Sequence, residues 1–564
     1  MYSRYKLDTE DESNKEPAKP ASQLTCKVVK EFIAGLKKKE DPSKAAGCLG
    51  KTTKDDVMRW LDDNDLDLMH HVIIMNNPES VEYLLTHGYF QAPFEPRTNL
   101  YAHLASYLGH RTCLNIILQH RKDDNRPSKK LTYTGKSENG VIERRREISP
   151  IDVAAEAGHL NCVKLILDQC YLKNHQDLVD YPYVALACIP QSPLSLQLIM
   201  KKDKPKTDDI KKAIEVSLMK ANAQCLDILM KQKIKTDDMF GKRNFFHMLY
   251  TFSQTTQFGA DGYRRLPEVT QILIKSKLNV KAYSPPNTYP IYSLIKNALC
   301  IHDYVNTRHY VMCLRMLIEA GADPNFDEAE CEKKLNARGI KTEHGRMSYS
   351  SAMHCLLETV ESFSEYLESK ALGVRFIVQM AEVLLQNKAR INAIGRLGDK
   401  NSNRFGTVLH QFAKCSVKLG VDTDIFKYLL RQGADPNARE ESGKYVINTF
   451  FDTLLMTLKE FSSHHTPQDY TEDVQTMLGL ALFMTRDCVR ETLKILNKDF
   501  AKAPHHLRKY VQMAQKELDE RVHEVWPLKR MCRVLIWDLC KRDASIVTKL
   551  PTDIESRTFI LPSI

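Results

Sequence analysis

Along most of this chain apolar residues fall three and four apart, the spacing that gathers them on one face of a helix. Cys162 to Leu167, Cys313 to Ala320 and Phe426 to Gln432 are three such runs. The last two are each followed by the same five residues, Gly321-Ala322-Asp323-Pro324-Asn325 and Gly433-Ala434-Asp435-Pro436-Asn437. Val383 to Asn392 is a worn copy of the same run and turn. A second phrase recurs as Ser149-Pro150-Ile151-Asp152-Val153-Ala154-Ala155-Glu156-Ala157-Gly158-His159 and as Leu100 to His110, each ahead of another apolar run. Weaker copies open at Leu68, Phe245, Ala352 and Val408, while 181–203 and 210–236 keep the helical pattern without the phrase. The pattern predicts paired helices in a repeat of about 33 residues, stretched by insertions.

The phrase has a physical reading. Ser-Pro supplies a helix cap and a preset φ. Small Ala residues let paired helices approach, and Gly ends the first helix in a left-handed conformation. Ser149 to His159 resembles the ankyrin phrase Thr-Pro-Leu-His-x-Ala-Ala-x-x-Gly-His. That resemblance implies an all-α ankyrin-repeat solenoid of about nine or ten units over residues 65–500. It gives structural roles to His103, His110, Pro150, Gly158, Gly321, Asp323, Asn325, Gly433, Asp435 and Asn437. Histidines 70, 103, 247, 354 and 410 are then expected to fix turns, not to catalyse. The polar insertions 121–147, 327–350 and 393–404 are expected as loops. Each repeat of a solenoid touches only its neighbours, which gives an extended concave face for another protein and no enclosed chemical pocket.

Beyond the repeats, Leu528, Cys532 and Ile536 lie four apart and form an apolar ridge on a helix that opens with Pro527. Leu550-Pro551 follows, then Phe559-Ile560. This arrangement resembles a SOCS box. The resemblance implies elongin B/C binding through Pro527, Leu528, Cys532, Leu535 and Ile536. It implies cullin binding through Leu550, Pro551, Phe559 and Ile560, although Thr552-Asp553 stands where the family repeats Leu-Pro and Ser556 where it has Leu. The chain as a whole resembles the ankyrin repeat and SOCS-box family. By that resemblance it joins an unidentified target protein to a cullin–RING ubiquitin ligase. The rival is an ankyrin scaffold whose final helices only cap the repeats.

The expected organisation is a polar disordered tail over 1–25, a helical or linker segment over 26–64, the repeats, a helical connector over 504–523 and the box over 524–564. Hydrophobic residues make up 43% and charged residues 27%, a globular balance. A formal charge of +10, from 81 basic and 71 acidic residues, is small for 564 residues, and its basic clusters are short. Neither nucleic acid nor membrane is expected as a partner. The 15 cysteines are scattered with no Cys-x-x-Cys pair, which argues for core thiols in a reducing compartment. With no signal-peptide pattern at the start, the expectation is cytoplasmic, and also nuclear, residence.

Two motifs invite chemistry. Ala45 to Thr52 fits the loosest phosphate loop, but an amphipathic helical pattern and Pro42 stand where a strand is required. Asp63-Asn64-Asp65 echoes a calcium loop, but Leu68 replaces the needed Gly. Adjacent histidines at 70–71, 464–465 and 505–506 diverge on a helix and cannot share a metal. No catalytic residue, metal or cofactor is expected.

Overall fold

The computed structural model describes residues 5–7, 22–62, 66–89, 100–120, 131–137, 140–145, 149–168, 183–189, 193–202, 205–232, 245–253, 258–281, 289–298, 307–328, 330–331, 334, 350–363, 370–397, 405–419, 423–460, 469–501 and 505–523. It divides into two compact units, Met1–Lys235 and Thr236–Ile564.

In the first unit, Ser22 starts helix α1 (Gln23–Lys37) by accepting the Thr25 amide at 3.1 Å. Val28, Val29, Phe32 and Leu36 make its buried face. Two short helices follow, α2 (Pro42–Ala45) and α3 (Lys54–Arg59), separated by a 3-10 turn over Ala46–Lys51. Five helix pairs come next: α4 (Leu68–Ile74) and α5 (Pro78–Thr86); α6 (Leu100–Leu108) and α7 (Arg111–His120); α8 (Pro150–Ala157) and α9 (Leu160–Asp168); α10 (Tyr183–Leu186) and α11 (Leu194–Lys202); α12 (Thr207–Met219) and α13 (Ala223–Met230). First helices stack in the order α4, α6, α8, α10, α12, and second helices in the order α5, α7, α9, α11. Each pair therefore buries its apolar faces between two layers of helices.

The second unit repeats the scheme six times: α14 (Phe245–Phe252) and α15 (Gly259–Lys275); α16 (Pro290–Ala298) and α17 (Thr307–Glu319); α18 (Ala352–Phe363) and α19 (Lys370–Gln386); α20 (Val408–Leu419) and α21 (Thr423–Arg431); α22 (Val446–Glu460) and α23 (Thr471–Leu478); α24 (Arg486–Asp499) and α25 (His505–His523). Helices α14, α16, α18, α20, α22 and α24 pack in succession, as do α15, α17, α19 and α21.

Two segments differ from expectation. The polar start is not unstructured throughout, because Tyr5–Leu7 forms strand β1 and α1 already begins at Gln23 behind its Ser22 cap. The insertion 121–147 holds a hairpin, β2 (Leu131–Ser137) and β3 (Gly140–Arg145), with β1 added antiparallel to β2. A helix spans 505–523, where a helical connector is expected over 504–523. Its apolar stripe Leu507, Val511, Ala514, Leu518 and Val522 is buried, and it packs along α24 as the second helix of a pair. The strands lie outside the helix pairs, so the repeats themselves are all-α.

Candidate interaction surface

The turns show how consecutive pairs are locked together. Ser149 caps α8 in a reciprocal box, its hydroxyl receiving the Asp152 amide at 3.4 Å while Asp152 Oδ2 accepts the Ser149 amide at 2.9 Å. Pro150 occupies the first helical turn, and Gly158 closes α8 at φ 78°, which favours a residue without Cβ. His159 then reaches back with Nε2 to the Tyr107 carbonyl of the preceding pair at 2.8 Å. His110 makes the equivalent bond to the Ile74 carbonyl. Burial holds its imidazole below the ordinary value, against the pull of that bond.

Three first-helix histidines do the same in the second unit. His410 Nδ1 accepts the Thr407 amide at 3.2 Å, so its Nε2 carries the proton and donates to the Lys444 carbonyl at 3.3 Å. His354 lies 2.8 Å from the Ser351 hydroxyl and 3.1 Å from the Gly406 carbonyl. Burial depresses its imidazole to about 4. His247 Nδ1 meets Ser293 Oγ at 3.0 Å. In the first unit His103 is fully buried, and His70 is held by Asp67 at 2.8 Å. Buried imidazoles held by a cap and a carbonyl have structural work and no reacting partner.

An asparagine ladder runs along the hairpin turns of the second unit. Asn325 donates to the Lys388 carbonyl at 2.9 Å and accepts the Arg390 amide at 2.7 Å. One turn on, Asn392 donates to the Gly433 carbonyl at 2.9 Å and accepts the Asp435 amide at 2.7 Å. Asn437 then accepts the Thr485 amide at 2.8 Å. Asp323 and Asp435 close their own turns by accepting the amides of Asn325 and Asn437, both at 2.8 Å. Gly321 at φ 98° and Gly433 at φ 90° begin these turns, and Lys388 at φ 67° fills the same place in the worn copy.

In eight of the first helices the position four residues after the histidine position is at least partly exposed, while the equivalents after α10 and in α12 and α24 are the buried Cys188, Ala213 and Thr492. The exposed cases are Ile74, Tyr107 and Glu156 in the first unit. In the second they are Thr251, Lys296, Glu358, Lys414 and Asp452. Repetition of one position places these side chains on one face of each unit. Opposite charges alternate from Lys296 to Asp452. Met456, one turn beyond Asp452, is 60% exposed, and Ile394 at a hairpin turn is 58% exposed. Large apolar side chains beside mixed charge form the kind of face that recognises protein. Lys444, 2.9 Å from Asp452 and 2.8 Å from Asp499, ties the end of this face to α24. Burial opposes its charge, but the two carboxylates outweigh burial and hold the ammonium above its ordinary value.

No reactive centre emerges among the described residues. No group of His, Cys, Asp or Glu there could hold a metal. Burial pushes the thiols of Cys113 and Cys162 up to about 11 and that of Cys313 to about 12, as for core residues. The phosphate-loop match is a 3-10 turn preceded by helices. Its Lys51 sits 3.6 Å from Glu31, and Thr52 Oγ1 sits 3.1 Å from Thr25 Oγ1. Asp63, Asn64 and Asp65 lie outside the described residues. So do Pro527, Leu528, Cys532, Leu535, Ile536, Leu550, Pro551, Phe559 and Ile560. Lys444 with its two carboxylates, and the serine and threonine partners of the histidines, escaped the sequence reading. The caps had a signal, a Ser or Thr three residues before His354 and His410.

Stacked helix pairs, left-handed glycines and histidine and asparagine ties between turns define an ankyrin-repeat fold. No protein-family model matches the sequence, and no curated protein does. Among solved structures, the ankyrin repeat domain of Bcl-3, described as a unique member of the IkappaB protein family, is 16% identical. That match covers 42% of this chain and 90% of the other at a TM-score of 0.28. The ankyrin repeat domain of human ASB11 is 13% identical, covering 61% of this chain and 100% of the other at a TM-score of 0.24. Superpositions at these scores add nothing to the assignment, which stands on the turns and helix pairs described above. No described helix is long and apolar enough to cross a membrane.

Proposed function

We propose that the chain is a non-catalytic substrate-recognition adaptor. Its repeats hold a target protein, and residues 524–564 bind elongin B/C and, through Leu550-Pro551, a cullin–RING ubiquitin ligase. The supporting observation is the character of α25. One face of this helix is buried, while Arg508, Lys509, Gln512, Lys516, Asp519 and Glu520 on the other are exposed. A polar outer face is what the last element of a repeat stack needs, and α25 already supplies it. On this reading the apolar residues Leu528, Cys532 and Ile536 bind a groove on another protein.

Deleting residues 524–564 tests this division of labour. The truncated chain should keep the thermal midpoint of the full chain while losing elongin B/C. A clearly lower midpoint would mean that the segment seals the repeats, and the adaptor reading would fall.

A further inference from the structure

Helix α1 precedes the repeats and carries a charge pattern that helix formation does not explain. Its buried side is made by Val28, Val29, Phe32 and Leu36. On the opposite side Lys27, Lys30, Ala34, Lys37 and Lys38 are all exposed and fall in one stripe. The stripe runs about 15 Å from Lys27 to Lys37, and none of its residues is acidic.

The carboxylates beside it are engaged elsewhere. Glu31, at its edge, lies 3.6 Å from Lys51. Asp41 caps α2 by accepting the Ser43 and Lys44 amides at 2.9 and 3.3 Å. A Cβ on Gly35 would lie 2.9 Å from Glu40 Oε2, which puts that carboxylate on the flank of α1 away from Lys30 and Lys37.

The stripe also works against its own helix. Positive charge near the start of a helix opposes the dipole, and no acidic residue occupies the first turn of α1 to offset it. Lys27 and Lys30, three apart, repel each other. Only Lys37 and Lys38, at the C-terminal end, are favoured by the dipole. Such a departure from local preference marks a surface shaped by something other than folding. Ala34, between Lys30 and Lys37, leaves room for another chain to lie close to the helix. Leu24, 53% exposed beside the first turn, adds an apolar contact that a protein side chain can use and a phosphate backbone cannot.

We propose that this stripe is a docking surface for an acidic protein segment, a run of about five extended residues rich in Asp and Glu with an apolar residue at the Leu24 end. The surface lies outside the repeats and does not depend on the adaptor reading above.

The test uses the full chain and a fluorescent peptide of consecutive Glu residues with Leu at each end, followed by anisotropy at low and at physiological salt. The parent should bind it about tenfold more tightly than the same peptide with Gln in place of Glu, and more tightly than oligouridine or vesicles containing phosphatidylserine. Lys27→Glu with Lys30→Glu should weaken binding about tenfold and leave the thermal midpoint no lower. Lys27→Gln with Lys30→Gln should fall between, and reads the same surface if the reversed pair does not fold. Lys275→Glu with Lys277→Glu makes the same change of net charge at exposed positions of the second unit and should alter binding by less than about twofold. No preference for Glu over Gln, equal losses from the two charge-reversed pairs, or tighter binding of RNA or vesicles than of the peptide would each overturn the proposal.

Discussion

His354 offers a quantitative handle on the repeat stack. It is fully buried between the Ser351 hydroxyl and the Gly406 carbonyl, and burial depresses its imidazole to about 4 from an ordinary 6.5. The folded chain therefore keeps this ring neutral while the unfolded chain protonates it below 6.5. Stability contributed this way is fully present above 6.5 and is lost as pH falls towards 4, levelling off below. The separation corresponds to about 3 kcal/mol at about 1.4 kcal/mol per tenfold change in proton affinity. His354→Gln removes the titration and part of the hydrogen bonding, and should cost about 1–3 kcal/mol at pH 7. Urea unfolding of parent and variant from pH 7.5 to 4 should then show two curves that converge, because only the parent suffers the proton penalty. A constant difference across that range would refute this account of the buried imidazole.

Asn392→Ala removes two bonds between successive turns and should lower stability by about 1–2 kcal/mol in urea titrations. Asn392→Asp, which keeps the acceptor for the Asp435 amide, should cost less. Gly395→Ala should be damaging, although Gly395 lies in a strand of only two residues, Gly395–Arg396. A Cβ there would lie 2.8 Å from His354 Cε1 and Nε2, and the ring is held too firmly to yield. A loss of about 1–3 kcal/mol is expected, and pairing the substitution with His354→Ala should recover part of it. If the double variant is no better than the sum of the two, the clash is not the cause.

Much of this architecture is legible in the sequence, because turn chemistry is local. Gly321 and Gly433 mark positions of positive φ, and the asparagines that follow them bond to the next turn. The worn copy is harder to read because Lys388 adopts the same left-handed conformation at φ 67° without being glycine. The hairpin over 131–145 carried a signal that went unread. Thr132, Tyr133 and Thr134 in its first strand and Val141 and Ile142 in its second are residue types that favour strands. Helix 505–523 was legible as a helix, but its pairing with α24 was not, since neither helix carries the repeat phrase. The exposed first-helix position is visible only after the repeats are aligned by their histidines. The ties of Lys444 to Asp499 and of Arg486 to Val522 span separations that no local pattern encodes.

The central claim is that residues 524–564 engage a foreign adaptor protein. Co-expression of the full chain with elongin B and C, followed by size-exclusion chromatography, measures this most directly. A stoichiometric complex is expected for the parent chain. Leu528→Asp, which places a charge where an apolar side chain would otherwise gain about 1.5–3 kcal/mol from burial, should abolish it while the thermal midpoint stays unchanged. Equal recovery of elongin with parent and variant, or no complex with the parent, would contradict the account.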